Sequence, residues 1–130
     1  MERNHATIEF VKKTLGCACP DEVFEQIEYG NNEHFKGILL RSITVGGRLL
    51  IYVWEVDDLS LVASRFTDVL ALGKDERDRR GLNRFRAVLS TDDVDRLKSL
   101  AQGLFEGWQE KDEKTHLHVV ASGDVPSFHA

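Results

Sequence analysis

Gly37 to Val56, GILLRSITVGGRLLIYVWEV, is the stretch on which the reading of the fold turns. Two apolar runs flank Gly46-Gly47, and paired glycines supply the positive φ angles of a tight hairpin turn without steric cost. With a two-residue turn there, Ile43 faces Leu50, Arg41 faces Tyr52 and Leu39 faces Trp54. One face of the hairpin then carries Leu39, Ile43, Val45, Leu50, Tyr52, Trp54 and Val56. The other carries Ile38, Leu40, Leu49, Ile51 and Val53, diluted by Ser42, Thr44 and Glu55. Leu49 to Trp54 is apolar on both faces, the pattern of a strand inside a sheet covered on both sides by helices or by a second subunit. An isolated hairpin is marginal in water, so the rest of the chain has to supply that cover.

Beyond the hairpin, Asp57-Asp58 opens a helix in which Leu59, Val62, Ala63, Phe66, Val69 and Leu70 recur at helical spacing, ending at Gly73. KDERDRRG follows, bounded by Gly73 and Gly81 and without an apolar residue, which reads as a solvated loop. RFRAVLS, residues 84 to 90, reads as a strand. Ser90 or Thr91 then caps a helix whose stripe is Val94, Leu97, Leu100, Ala101, Leu104 and Trp108. Gly103 and Gly107 weaken that helix and suit either close packing or fraying. THLHVVA, residues 115 to 121, is a strand, and residues 122 to 130 form a loose tail.

On the N-terminal side, ATIEFVKKTL spaces Ile8, Val11 and Leu15 as a short helix, with Thr7 to cap it and Gly16 to end it. Residues 21 to 29 suit a helix behind Pro20 and a short strand equally well. GNNEHFKG, residues 30 to 37, is a loop by composition. These pieces predict a single α/β or α+β domain spanning residues 1 to 130. It has a mixed β-sheet, in which an N-terminal β-hairpin is followed by two βαβ units and helices pack on the sheet. Right-handed crossovers make the strands near 49 to 56, 84 to 90 and 115 to 121 parallel. Both long helices then share one face, leaving the other to the N-terminal helix.

A chain of 130 residues with 42% apolar and 30% charged residues is of ordinary globular composition. It contains no apolar run of membrane-spanning length and no signal-peptide pattern, so the expectation is a cytoplasmic protein without a membrane partner. Two cysteines do not make a secreted disulfide scaffold. A net charge of -5 argues against nucleic acid as a partner, yet the charge is uneven. Residues 74 to 86 hold six basic against three acidic residues, a net of +3, which leaves -8 for the remainder.

Cys17-Ala18-Cys19-Pro20 is the sharpest local feature. Two thiols pinned between a helix end and a proline suit a reversible thiol pair or half of a metal site. They equally suit buried small apolar filler. His116 and His118 alternate onto one strand face, and with Cys17 and Cys19 they would make a tetrahedral zinc set, although C-x-C is tighter than common zinc spacings. Zinc is thus the one candidate cofactor. In the basic segment, Arg77, Arg79, Arg80 and Arg84 are candidates for binding an anion or an acidic partner, with a solvated loop as the plain alternative. Glu55, Asp57 and Asp58 resemble an acidic site but double as helix-start residues. The chain has no glycine-rich phosphate loop, no G-x-S-x-G and no HExxH.

FVKKTLGCACPDEVF, residues 10 to 24, resembles the opening of a family of small prokaryotic proteins with a G-C-x-C-P-x-E-V-F segment and no assigned activity. The resemblance covers about a tenth of the chain, implies no catalytic or ligand residues, and points to the cysteine pair. The functional expectation is a small soluble binding or assembly protein rather than an enzyme. It is a homo-oligomer because the hairpin is apolar on both faces, and the residues do not indicate a protein partner. The alternative is a thiol-redox or metal-binding protein working through Cys17 and Cys19.

Overall fold

The computed structural model describes residues 2–16, 21–30 and 33–125. Cys17, Cys19 and Pro20 lie outside the described residues, as do Asn31, Asn32 and the last five residues of the expected tail.

The hairpin is the centre of the sheet. β3 (Ile38–Val45) runs antiparallel to β4 (Leu49–Glu55). β5 (Arg84–Thr91) and β6 (Thr115–Ala121) follow in parallel, each after a helix, as the two predicted crossovers require. Two short strands, β1 (Ile27–Tyr29) and β2 (Glu33–Phe35), pair with opposite ends of β3 on its other side. The order across the sheet is β1-β3-β4-β5-β6, with β2 beside β3. Residues 21 to 29 hold both expected conformations in succession, a 3-10 turn at Asp21–Glu25 and then β1. β2 falls inside the segment read as a loop.

The register of the hairpin is one residue away from the expected one. Val45 pairs with Leu49 and Ile43 with Ile51, so the loop is Gly46-Gly47-Arg48, with φ of 64° and 63° at the glycines. Arg48 leaves the ladder because its carbonyl accepts from Asn83 N at 2.7 Å and Arg84 N at 3.0 Å, anchoring the start of β5. A one-residue slip turns a whole strand over. Tyr52 and Trp54 therefore lie on the face opposite Ile43 and Val45, contrary to the sequence reading.

α2 (Leu59–Arg79) and α3 (Val94–Gly107) cover one face, burying Phe66, Leu70, Leu97 and Ala101 against Leu50, Tyr52, Phe85 and Leu89. α1 (Glu2–Glu9) and the π-helical turn Phe10–Thr14 cover the other, where Phe10, Val11 and Leu15 meet Ile43, Ile51, Val53 and Val88. Thr7 is buried and shares a hydrogen bond with the Tyr29 hydroxyl at 2.7 Å, so it ties α1 to β1 rather than capping a helix. Both faces of the hairpin are thus covered from within the chain. Leu39 is the one large exposed apolar side chain among the described residues, which removes the reason for expecting a second subunit on the hairpin. No helix among the described residues is long and apolar enough to cross a membrane.

α2 does not end at Gly73. A Cβ there would sit 2.1 Å from Cζ of Phe85, so the glycine lets the helix approach β5 closely. The helix runs on through Arg79, supported by Asp75–Arg79 and Glu76–Arg80 pairs one turn apart, and stops at Gly81 with φ 68°. The segment expected to be a loop is therefore mostly helix. Asp58 caps α2 through Ser60 N at 2.9 Å. Asp93, rather than Ser90 or Thr91, caps α3, while Thr91 Oγ1 accepts from Asp93 N at 3.1 Å.

Candidate functional site

Side chains alternate along β5. Phe85, Ala87 and Leu89 enter the core under α2 and α3, so Arg84, Arg86, Val88 and Ser90 face the α1 side. The parallel register sets Arg86 beside His116 and Val88 beside His118, which brings His116 and His118 onto the same face as the two arginines. Each guanidinium reaches forward across the strand pair. Arg84 Nη1 lies 3.2 Å from His116 Nε2, and Arg86 Nη1 lies 2.7 Å from His118 Nε2. Arginine has no acceptor, so each imidazole is the neutral Nδ1–H form and accepts through Nε2.

Arg86 also donates from Nη1 to the Leu15 carbonyl at 3.3 Å, which ties the end of the π-helical turn to β5. Its Nε is buried and has no hydrogen-bond partner among the described residues. Neither Arg84 nor Arg86 pairs with a carboxylate among the described residues. Burial, and then the charge of Arg84, lower the pKa of Arg86. Burial, then Arg86, then His116 push His118 down to about 4. His116 is lowered by burial and by both arginines, with Asp112 opposing. The result is two permanent cations beside two neutral imidazoles in an otherwise acidic protein.

The four arginines proposed from sequence do not form one site. Arg77 is 3% exposed and pairs with Asp112 at 2.6 Å and Asp78 at 2.9 Å, with Thr115 Oγ1 accepting at 3.1 Å. It clamps the end of α2 to the approach to β6. The Arg77 hydrogen bond holds Asp112 well below the usual carboxylate range, and Asp112 raises Arg77 in turn. Arg79 pairs with Asp75 on the helix surface. Arg80 lies between Glu76 and Glu28, on the opposite side of the sheet from Arg84. Arg84 alone joins the histidines. The residue missed is Arg86, although R-x-R in one strand and H-x-H in the next carried the period-2 signal that places all four on one face.

Asp58 is consumed as a helix cap and Glu55 pairs with Arg41 at 3.2 Å. The described residues contain no group of three or more potential metal ligands. Cys17 and Cys19 cannot be placed against His116 and His118 because they lie outside the described residues. Comparisons with protein-family models, with curated proteins and with solved structures find no significant match to this chain.

Proposed function

We propose that this is a binding protein, not an enzyme, and that it holds a small anion on the face formed by Arg84, Arg86, His116 and His118. The observation that carries the reading is Arg86, half-buried and, among the described residues, without a carboxylate and with a buried Nε that donates to nothing. A guanidinium taken from water without compensation is costly, and an oxyanion supplies both the charge and the acceptors it lacks. The neutral histidines add Nδ1–H donors. Phosphate is the probe of choice. Titrated into the protein at pH 7.5, it should move the ring signals of His116 and His118 saturably, and more weakly as sodium chloride is raised. Arg86→Met should abolish the response. Ring signals indifferent to phosphate and sulfate, or an Arg86→Met variant that still binds, would overturn the reading.

A second reading keeps Cys17 and Cys19 as a thiol pair or, with His116 and His118, as zinc ligands. In its favour, the guanidinium nitrogen that holds His118 also holds the carbonyl of Leu15, two residues before Cys17 in sequence. A neutral imidazole is the metal-competent form, and a nearby guanidinium favours a thiolate. Two arginines beside the histidines oppose a divalent cation unless thiolates offset them, which ranks zinc second. Metal analysis and iodoacetamide alkylation at pH 7 of the native protein test this reading directly. Homo-oligomerisation is a separate proposal whose remaining support is the outer edge of β6, which pairs with no strand among the described residues. Sedimentation as a 14.8 kDa monomer would remove it.

A further inference from the structure

On the opposite side of the sheet from the arginine–histidine ladder, a cleft of about 260 Å³ opens between the C-terminal part of α2 and β3. It exists because this face of β3 changes character along its length. Ile38 and Leu40 join the core under the helices, whereas Ser42 and Thr44 line the cleft. No hydrogen bond to the Thr44 or Ser42 hydroxyl is found among the described residues, and neither oxygen is among the fully enclosed unpartnered atoms, so both open to the cleft. A hydroxyl open to a cleft keeps its donor and acceptor capacity for whatever enters it. Ser42 and Thr44 thus give the cleft a floor of two hydroxyls with bonding capacity to spare.

Gly30 keeps the mouth open. A Cβ at that position would lie 3.1 Å from Cβ and 3.2 Å from Oγ of Ser42, crowding the hydroxyl. The polar rim is made by three charged groups. Tyr52 Oη donates to one oxygen of Glu76, and Arg80 Nη1 donates to the other at 2.6 Å. Arg80 Nη2 stands 3.7 Å from Glu28 Oε2, a looser contact with a largely exposed carboxylate. Two carboxylates against one guanidinium leave the rim net negative, above a floor of hydroxyls and beside the apolar walls of Phe35 and Leu72.

We propose that this cleft binds a small molecule carrying a primary ammonium group on an apolar body. The ammonium donates to Glu28 and to the Ser42 and Thr44 hydroxyls, and the body packs on Phe35 and Leu72. Glu28 is the movable member, exchanging its loose contact with Arg80 for the ligand. An anion is disfavoured because Arg80 is paired with Glu76 and flanked by a second carboxylate, which leaves the rim net negative. The volume lies just under the roughly 300 to 1,000 Å³ of sites for drug-sized ligands, so the occupant is of small-metabolite size.

Three probes of one shape separate the possibilities: phenethylamine, 2-phenylethanol and phenylacetate, each titrated into the full chain and followed by backbone amide NMR. Phenethylamine should move the amides of Glu28, Ser42 and Thr44 saturably, and the alcohol and the carboxylate should bind at least about fivefold more weakly. Thr44→Val and Glu28→Gln should each weaken the amine by about fivefold, and Thr44→Val should leave the melting temperature unchanged or raised. The proposal fails if no probe gives saturable shifts, or if the alcohol or phenylacetate matches the amine. It fails equally if Thr44→Val lowers the melting temperature while binding persists, because the hydroxyl would then be structural. Arg86→Met should leave amine binding intact, so loss of the anion site and loss of this one are separately visible.

Discussion

Arg77 and Arg86 lie nine positions apart, both drawn well out of water, in opposite electrostatic settings. Arg77 is almost fully enclosed and has two carboxylates and a threonine hydroxyl on its guanidinium. Arg86 is less enclosed and has a backbone carbonyl, an imidazole, and another arginine nearby. The first is compensated in place and acts as a clamp between α2 and β6. The second is left electrostatically open, which is how a protein holds a site for something not permanently part of it. The contrast makes Arg77 a clamp and is the ground on which Arg86 is proposed as a ligand-binding residue, and each half can be tested.

The largest effect is expected at the clamp. Arg77→Met keeps the apolar stem but strands Asp112, whose side chain is 32% exposed, beside Thr115 without its cation. Removing one partner of a buried ion pair costs about 3 to 5 kcal/mol, and the exposure of Asp112 brings the expected loss to about 2 to 4 kcal/mol. Urea unfolding measures it. A double-mutant cycle with Asp112→Asn should recover part of the loss, because the uncompensated carboxylate goes with it. A loss below about 0.5 kcal/mol, the range of ordinary surface changes, would erase the distinction between the two arginines.

Acid separates the same two regions by pH window. His118 sits at about 4 in the folded protein, against about 6.5 in an unfolded chain. Between those values the unfolded chain binds the extra proton, so stability is complete above about pH 6.5 and falls as the pH drops toward 4. The expected loss is on the order of 2 kcal/mol after allowing for solvent screening. Asp112, also depressed, keeps its contribution through this window and loses it only at lower pH, below the ordinary carboxylate range. His118→Gln should flatten the first limb and spare the second. Phosphate bound at Arg86 should raise the His118 pKa by offsetting the guanidinium charge. An acid limb unchanged in His118→Gln would place the proton elsewhere.

The sheet was largely legible because its signals are periodic: glycines at a turn, apolar spacing in α2 and α3, and alternation in the last two strands. The misreadings have physical causes. β4 is apolar on both faces, so its pattern tolerates either register, and the deciding contacts are the bonds that the Arg48 carbonyl accepts from Asn83 N and Arg84 N. Gly73 has the look of a helix terminator, but its role is to let Phe85 approach, a reason that exists only in three dimensions. With α2 cut short, the following arginines read as one charged run. Their helical spacing sends Arg77 inward, Arg79 outward and Arg80 toward Glu28. The ladder was legible from R-x-R and H-x-H once the strands were known to be neighbours. Thr44 offered no signal, since nothing in a sequence distinguishes a strand threonine packed in the core from one that lines a cleft.

The smallest effect is expected at Arg86, and it decides the comparison. Arg86→Met removes hydrogen bonds to the Leu15 carbonyl and to His118, which stabilises the unliganded protein less than the pairs of Arg77 do. The same change relieves the burial of a cation, an Nε unpaired among the described residues, and repulsion from Arg84. These contributions oppose one another, so stability should change by no more than about 1 kcal/mol in either direction. Two further readouts distinguish an open site from an unimportant residue. The His118 pKa should rise in Arg86→Met, because the guanidinium is among the causes of its depression. Phosphate should raise the melting temperature of the parent protein and leave that of the variant unmoved. A loss above about 2 kcal/mol with no phosphate effect in either protein would instead make Arg86 a second clamp, one that binds Leu15 and His118 as Arg77 binds Asp112.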